Sequence, residues 1–135
     1  MAEPHVLDTS ALFCLIEDEP GAQEVAAVLR SGSASACFLS LMEVFYITCQ
    51  RRGTEAAERR HQQIKALPIE IVESDDALGL SAGRIKASHR LSLADAWIAA
   101  TAERLDAVLV HKDPEFDALS KRLRMLRLPS KPPKG

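Results

Sequence analysis

The sequence predicts one α/β domain built on a mostly parallel central sheet that is flanked by helices. Short apolar runs alternate with helical segments along the chain, which is the pattern of βαβ units. The 135 residues leave room for one core, since domains usually span roughly 100 to 150 residues. There is no internal repeat and no sign of a second domain. We therefore expect residues 1–128 to form one domain.

Five short apolar runs are the predicted strands. The first ends at Asp8, and the others lie at residues 36–39, 68–72, 106–110 and 125–128. The run at 68–72 alternates apolar and polar residues, as a half-buried strand does. The run at 36–39 is too short to be a helix of its own and is bounded by serines.

Amphipathic segments between these runs are the predicted helices. The segment at 92–105 has the clearest pattern, because Leu93, Ala96 and Ala100 share one face. The others lie at residues 11–16, 21–30, 40–52, 54–67, 75–88 and 116–123. The last seven residues, 129–135, contain three prolines and two lysines and are expected to form a flexible tail.

The charge balance argues against a protein that coats nucleic acid by bulk electrostatics. Basic residues number 17 and acidic residues 19, a net charge of −2. Aromatic residues make up 4% of the chain, so base stacking is poorly supported and a nucleic acid would be held mainly by its phosphates. Two stretches, 51–65 and 112–135, are nevertheless rich in lysine and arginine. Such stretches are most often solvated surface.

The cysteines and the hydropathy pattern predict a protein of the cytoplasm. Cys14, Cys37 and Cys49 are odd in number, lie in apolar segments and lack a C-x-x-C spacing, which is typical of buried thiols in a reducing compartment. No run approaches the roughly 18 to 20 apolar residues of a membrane span, and there is no signal-peptide pattern.

Four carboxylates fall near one edge of the predicted sheet. Asp8 ends the first strand, Glu43 lies in the first turn after the second, and Asp113 follows the fourth. Asp95 lies in the first turn of the helix at 92–105, whose start need only lean over the same edge. Open α/β sheets bind their ligands at the carboxyl ends of the strands. The four side chains are therefore expected to converge.

Each carboxylate also has a purely structural interpretation. Asp8 is well placed to cap a short helix, and Asp113 before Pro114 is a common turn opening. Glu43 and Asp95 each stand three residues after a serine, which is the spacing of a capping box. The residues alone leave both interpretations open.

If the acids converge, a cation is needed to offset their repulsion. Oxygen ligands favour Mg²⁺ or Mn²⁺, since the sequence has no Cys or His set with zinc spacing. Such a site activates water against a phosphodiester. A phosphatase of the haloacid dehalogenase type also begins with a strand-end aspartate, but it needs a second aspartate where this chain has Ser10.

Four segments resemble the characteristic blocks of PIN domains, in the order and spacing of that family. They are Val-Leu-Asp-Thr-Ser-Ala at 6–11, Ser-Leu-Met-Glu-Val at 40–44, Leu-Ala-Asp-Ala-Trp-Ile-Ala-Ala-Thr-Ala at 93–102, and Val-Leu-Val-His-Lys-Asp-Pro-Glu-Phe at 108–116. The likeness is in particular to the VapC-type toxins of bacterial and archaeal toxin–antitoxin pairs. It covers essentially residues 5–128.

The resemblance implies a Rossmann-like sheet and a Mg²⁺- or Mn²⁺-dependent endoribonuclease acting on structured RNA such as transfer or ribosomal RNA. It also implies a homodimer, and a cognate antitoxin protein that covers the acidic pocket, often with an inserted arginine. A solitary RNA-processing PIN nuclease is one alternative. A non-catalytic PIN-like module that binds RNA or protein is another.

Carried over residue by residue, the resemblance assigns four acidic site residues. Asp8 and Asp95 would hold the principal metal ion, with Asp113 binding it directly or through water. Glu43 would orient or deprotonate the attacking water.

The resemblance also suggests supporting residues. Ser10 matches a hydroxyl that supports the first acid, and Asp117 matches an outlying acid that only some members have. Lys112 and Arg52 are candidate phosphate contacts. The chain departs from the family at His111 and Lys112, where many relatives carry Thr and a small or polar residue.

Overall fold

The computed structural model describes residues 2–130 and contains one five-stranded sheet. The strands have the spatial order β3-β2-β1-β4-β5, and every neighbouring pair is parallel. Their bounds are β1 His5–Leu7, β2 Ala34–Cys37, β3 Glu70–Val72, β4 Val108–His111 and β5 Met125–Arg127. The predicted α/β fold class with a parallel sheet is therefore confirmed. Most of the predicted tail, residues 131–135, lies outside the described residues.

Helices cover both faces of the sheet. They are α1 Thr9–Ile16, α2 Ala22–Arg30, α3 Phe38–Arg52, α4 Thr54–Lys65, α5 Asp76–Ser88 and α6 Leu93–Arg104, followed by a 3-10 helix at Pro114–Leu119. Within residues 2–130 no helix is both long and apolar enough to cross a membrane.

Alternate side chains of β1 and β4 divide the apolar core into two layers. Val6 and Leu109 pack with α5, α6 and the 3-10 helix. Leu7 and Val110 pack on the other face with α1, α2 and α3. All four side chains are fully buried. A strand that is buried on both faces reads as a continuous apolar run, which is why β1 and β4 could be located from the sequence.

The boundary between β2 and α3 differs from the prediction. The strand was expected at 36–39 and a helix was expected to start at Ser40, but β2 ends at Cys37 and α3 begins at Phe38. Phe38 packs edge-on against Trp97 of α6, with ring centroids 5.1 Å apart. Ser40 is buried inside the helix, and no side chain caps its start. The capping-box interpretation of Ser40 and Glu43 is therefore wrong.

The helix expected at 116–123 is a 3-10 helix that starts and ends earlier. Pro114 stands in its first turn, where its fixed φ favours helical geometry, and the Asp113 side chain accepts a hydrogen bond from the N–H of Glu115. These two features start the helix directly after β4. Phe116 and Leu119 of this helix are buried in the core.

A glycine allows the end of β5 to pack against the turn between α1 and α2. Gly21 has φ of 102°, and a Cβ built there would lie 3.1 Å from both Leu128 Cβ and Pro129 Cδ. The N–H of Leu128 donates to His111 O at 2.8 Å, which extends the β4–β5 pairing by one residue. The last strand is thus held by both its neighbour and this close contact.

We expect Gly21→Ala to lower the free energy of unfolding by about 2–3 kcal/mol, because a left-handed φ and a crowded Cβ act together. Gly32→Ala is the matched control, since Gly32 has φ of 76° but no heavy atom within 4 Å of the place that an alanine methyl would occupy. Its expected cost is about 1 kcal/mol. Urea unfolding measures both; equal losses would contradict the role given to the contact with Leu128.

Candidate active site

Asp8 stands at the carboxyl end of the central strand β1 and is almost fully buried, with 2% of its surface exposed. Its carboxylate caps α1 by accepting the N–H of Ala11 at 2.8 Å. Both Asp8 oxygens also accept from Ser10 Oγ, at 2.7 and 2.8 Å. The predicted helix cap is therefore real, and it also holds the carboxylate at the sheet edge.

Ser10 links the ends of β1 and β4. Its Oγ accepts the backbone N–H of Lys112 at 2.8 Å while it donates to Asp8. This places the chain just beyond β4 against the start of α1. The prediction that Ser10 supports the first acid agrees with these contacts, and the backbone of Lys112 takes part in them.

Glu43 projects from the second turn of α3 towards the start of α1. Its Oε1 accepts a hydrogen bond from Thr9 Oγ1 at 2.5 Å. Thr9 Oγ1 also lies 3.2 Å from Ser40 Oγ. Thr9 was not among the residues predicted from the sequence, although it directly precedes Ser10 at the same strand end.

Asp95 lies in the first turn of α6 with 7% of its surface exposed. Ser92 Oγ caps this helix by accepting the N–H of Asp95 at 3.1 Å. In a reciprocal capping box the acid would accept the N–H of Ser92 in return. Here Glu115 Oε1 accepts that N–H at 3.1 Å instead. Within the described chain, Asp95 Oδ2 is buried and has no hydrogen-bond partner.

Asp113 lies two residues beyond β4 and is oriented from two sides. Its Oδ1 accepts the N–H of Glu115 at 2.9 Å, and its own N–H donates to His111 Nδ1 at 3.1 Å. His111 is 1% exposed and packs edge-on to Phe116. His111 thus helps to fix the backbone of Asp113.

Three acids bring carboxylate oxygens within 4.8 Å of one another: Asp95, Asp113 and Glu115. Glu115 was missed as a site residue because its place depends on the 3-10 helix meeting the start of α6. Burial raises the pKa of Asp95 to about 9, with a further contribution from the neighbouring Asp113. Burial also raises the pKa of Asp8 to about 7, in spite of the hydrogen bonds from Ser10 and Ala11.

A divalent cation fits this arrangement. The donor set is made of carboxylate oxygens, which Mg²⁺ and Mn²⁺ prefer. The unpartnered Oδ2 of Asp95 is a buried acceptor that lacks a positive partner in the described chain. A cation among these oxygens would replace the protons that burial and repulsion otherwise favour.

The remaining predicted residues, Asp117, Lys112 and Arg52, each form an ion pair outside the acidic cluster. Asp117 is exposed and forms an ion pair with Arg127, with Nη1 3.2 Å from Oδ2. Lys112 Nζ lies 3.2 Å from Glu19 Oε1, and both side chains are largely buried. Arg52 lies at the far end of α3 from Glu43 and is 61% exposed.

The sequence matches the PIN domain family over residues 5–122, so the chain belongs to this family. No curated protein sequence matches it. The PIN resemblance drawn from the four sequence segments is thereby confirmed.

Solved structures show the same fold at low sequence identity. The DNA-bound VapBC of Salmonella typhimurium is 19% identical, with a TM-score of 0.76, covering 93% of this chain and 98% of that one. VapC20 of Mycobacterium tuberculosis, a sarcin–ricin loop cleaving toxin, is 16% identical, with a TM-score of 0.73 and coverage of 91% and 98%. PAE2754 of Pyrobaculum aerophilum is 22% identical, with a TM-score of 0.69 and coverage of 93% and 90%.

The buried acids predict a pH dependence for the metal-free protein. The folded pKa values of Asp95 and Asp8 lie above the unfolded value of about 4, so the folded state holds protons that the unfolded state has released. The free energy of unfolding should therefore fall as pH rises, by at most about 1.4 kcal/mol per pH unit for each group. Between pH ~7 and ~8.5, Asp95→Asn should flatten this fall. Urea unfolding in chelator measures the free energy of unfolding of both proteins across this pH range. If the wild type and Asp95→Asn lose stability with the same slope, Asp95 is not protonated in that range.

Removing the Ser10 hydroxyl should destabilise the domain. Ser10→Ala leaves the N–H of Lys112 without its acceptor and removes a donor to Asp8, which should cost about 1–3 kcal/mol. Ser88→Ala at the exposed end of α5 is the control and should change stability by less than about 0.5 kcal/mol. Thermal unfolding of both variants tests this, and equal midpoints would refute the bridging role.

Proposed function

We propose that this PIN domain is a metal-dependent endoribonuclease that hydrolyses RNA phosphodiester bonds, and that it is the toxin of a VapBC-type pair. The observation that carries the proposal is the meeting of the Asp95, Asp113 and Glu115 carboxylates at one edge of the sheet, with the buried Asp95 Oδ2 unpartnered within the described chain. The similarity to toxin–antitoxin structures and to a sarcin–ricin loop cleaving toxin supports the choice of RNA as substrate.

Asp8, Asp95 and Asp113 are the proposed ligands of one Mg²⁺ or Mn²⁺ ion, and Glu115 is a further candidate. When bound, such an ion polarises the phosphate and lowers the pKa of a water molecule. Ser10 and Ala11 keep Asp8 in place through their hydrogen bonds. The backbone of Asp113 is held by His111.

Glu43 is the proposed residue that orients the attacking water or accepts its proton. The hydroxyl of Thr9 donates to Glu43 Oε1 at 2.5 Å, which fixes the carboxylate. Thr9 is therefore proposed as a positioning residue for Glu43.

An antitoxin and a second copy of the chain are the proposed protein partners. Met42 and Leu93 are exposed apolar side chains, 55% and 64% accessible, at the starts of the two helices that carry Glu43 and Asp95. The three free cysteines agree with a cytoplasmic location.

Cleavage of labelled transfer and ribosomal RNAs by the purified protein tests the nuclease proposal. We expect cleavage with Mg²⁺ or Mn²⁺, none in chelator, and a loss of roughly 100-fold or more in Asp95→Asn, because one ligand charge is removed. Asp106→Asn is the matched control, since Asp106 is an exposed acid that precedes β4 at the opposite edge of the sheet.

Three outcomes would count against the proposal in different ways. Cleavage that persists in chelator would show that the reaction does not need a metal ion. Equal cleavage activity in Asp95→Asn and Asp106→Asn would exclude Asp95 as a metal ligand that cleavage requires. A folded protein that binds RNA but neither cleaves it nor binds metal would favour the non-catalytic module.

A further inference from the structure

A polar groove of about 240 Å³ lies where the end of α1 meets the end of α3 and the outer side of α4. It is lined by Ile16, Arg52, Ala56, Arg59, Arg60 and Gln63. Three of these six residues are arginines, and they come from the basic stretch at 51–65. The sequence alone suggested a solvated surface for this stretch, but the structure gathers its arginines around one groove.

Arg60 is fixed in the groove wall and is only 13% exposed. Its guanidinium donates to Thr48 Oγ1 at 3.3 Å and to Glu17 Oε2 at 3.5 Å. Its Cζ also lies 5.9 Å from the centroid of the Phe13 ring. A guanidinium that is held in this way binds an anion with little further loss of side-chain entropy.

The groove has more positive charge than its acidic neighbour can balance. Glu17 is shared between two arginines, at 3.5 Å from Arg60 and 3.7 Å from Arg52. Within residues 2–130, no carboxylate lies within 4.0 Å of the Arg59 guanidinium. Within residues 2–130 the three guanidinium groups therefore have one carboxylate at ion-pair distance, although Glu55 and Glu58 line a neighbouring pocket with Arg59. Each guanidinium offers five N–H donors. This is the chemistry that binds phosphate oxygens.

Two helices give the distance between the groove and the acids. Helix α1 begins at Thr9, which donates to Glu43, and ends beside Glu17, so its eight residues span about 12 Å. Along α3, Glu43 and Arg52 are nine residues apart, or about 14 Å. A stacked strand carries one phosphate per ~3.4 Å. The groove is thus about three to four nucleotides from the acids.

We propose that this arginine groove, formed by Arg52, Arg59 and Arg60, binds the RNA backbone about three to four nucleotides from the scissile phosphate. The proposal rests on the proposed function, because it takes RNA as the substrate. It offers a way for a chain with a net charge of −2 to hold RNA, because three arginines are gathered at one groove on the α1–α3 side of the acids.

Binding of a labelled single-stranded RNA of about twenty nucleotides, measured in chelator so that no cleavage occurs, tests the groove. Arg52→Gln/Arg59→Gln changes the two most exposed arginines and spares Arg60, which is packed. Arg30→Gln/Arg84→Gln removes the same charge from exposed positions on α2 and α5. Single Arg59→Gln serves as a second groove variant if the double variant unfolds.

We expect the groove variant to bind RNA about tenfold more weakly at ~0.1 M salt, and the slope of log K against log salt to fall by about 1.4, or ~0.7 per lost phosphate contact. The control variant should bind within about threefold of the wild type. Equal weakening in both double variants, or no RNA binding by the wild type, would overturn the proposal. Polyglutamate that competes with RNA and binds more tightly to the groove would instead identify an acidic protein segment as its ligand.

The groove proposal and the nuclease proposal can be rejected independently of each other. If the wild type cleaves RNA while the groove variant binds it normally, the groove proposal is wrong and the nuclease proposal stands. If RNA binding depends on the groove but no metal-dependent cleavage occurs, the groove proposal stands and the nuclease proposal is wrong.

Discussion

Two carboxylates, those of Asp8 and Asp95, are buried beside further acids at one edge of the sheet, and this burial constrains the elements around them. Asp8 and Asp95 are nearly inaccessible to water, and Asp113 and Glu115 lie beside Asp95. Like charges in such a place are unfavourable unless protons or a cation offset them. The raised pKa values of Asp8 and Asp95 express this cost in the metal-free protein. Helix capping does not account for Asp95, whose buried Oδ2 has no hydrogen-bond partner within the described chain.

The scaffold holds the acids through short links between neighbouring elements. Ser10 connects β1 to the chain beyond β4, Thr9 connects α1 to α3, and Glu115 connects the 3-10 helix to α6. The last link matters most for Asp95. Because Glu115 accepts the N–H of Ser92, the Asp95 carboxylate is not used as a helix cap and is available for a ligand. The same helices that begin at the acids end at the arginine groove, so one side of the domain carries both features.

Much of this arrangement could be predicted from the sequence because it follows from strand ends. Asp8 directly follows β1 and Asp113 lies two residues beyond β4, and parallel strands bring such residues to one edge. The start of α3 could not be placed, because Phe38 and Leu39 suit either a strand or a helix and only packing against α6 decides between them. Contacts between segments that are far apart in the sequence could not be predicted either.

Glu115 and Lys112 illustrate that limit. The first meets Ser92, 23 residues away, and the second turns its ammonium group to Glu19, 93 residues away. Neither partner has a local signal in the sequence. The metal ligands assigned by family resemblance remain a prediction that the geometry supports.

The proposed cation site can be tested by calorimetric titration of Mn²⁺ into the metal-free protein, in two buffers with different ionisation enthalpies. We expect binding to release protons near pH ~7, because the cation replaces those held by Asp95 and Asp8. We also expect Asp95→Asn to weaken binding by roughly 10- to 100-fold or more and to reduce the proton release. Binding of equal affinity in the variant, or without proton release in the wild type, would contradict the claim that these buried carboxylates form a cation site.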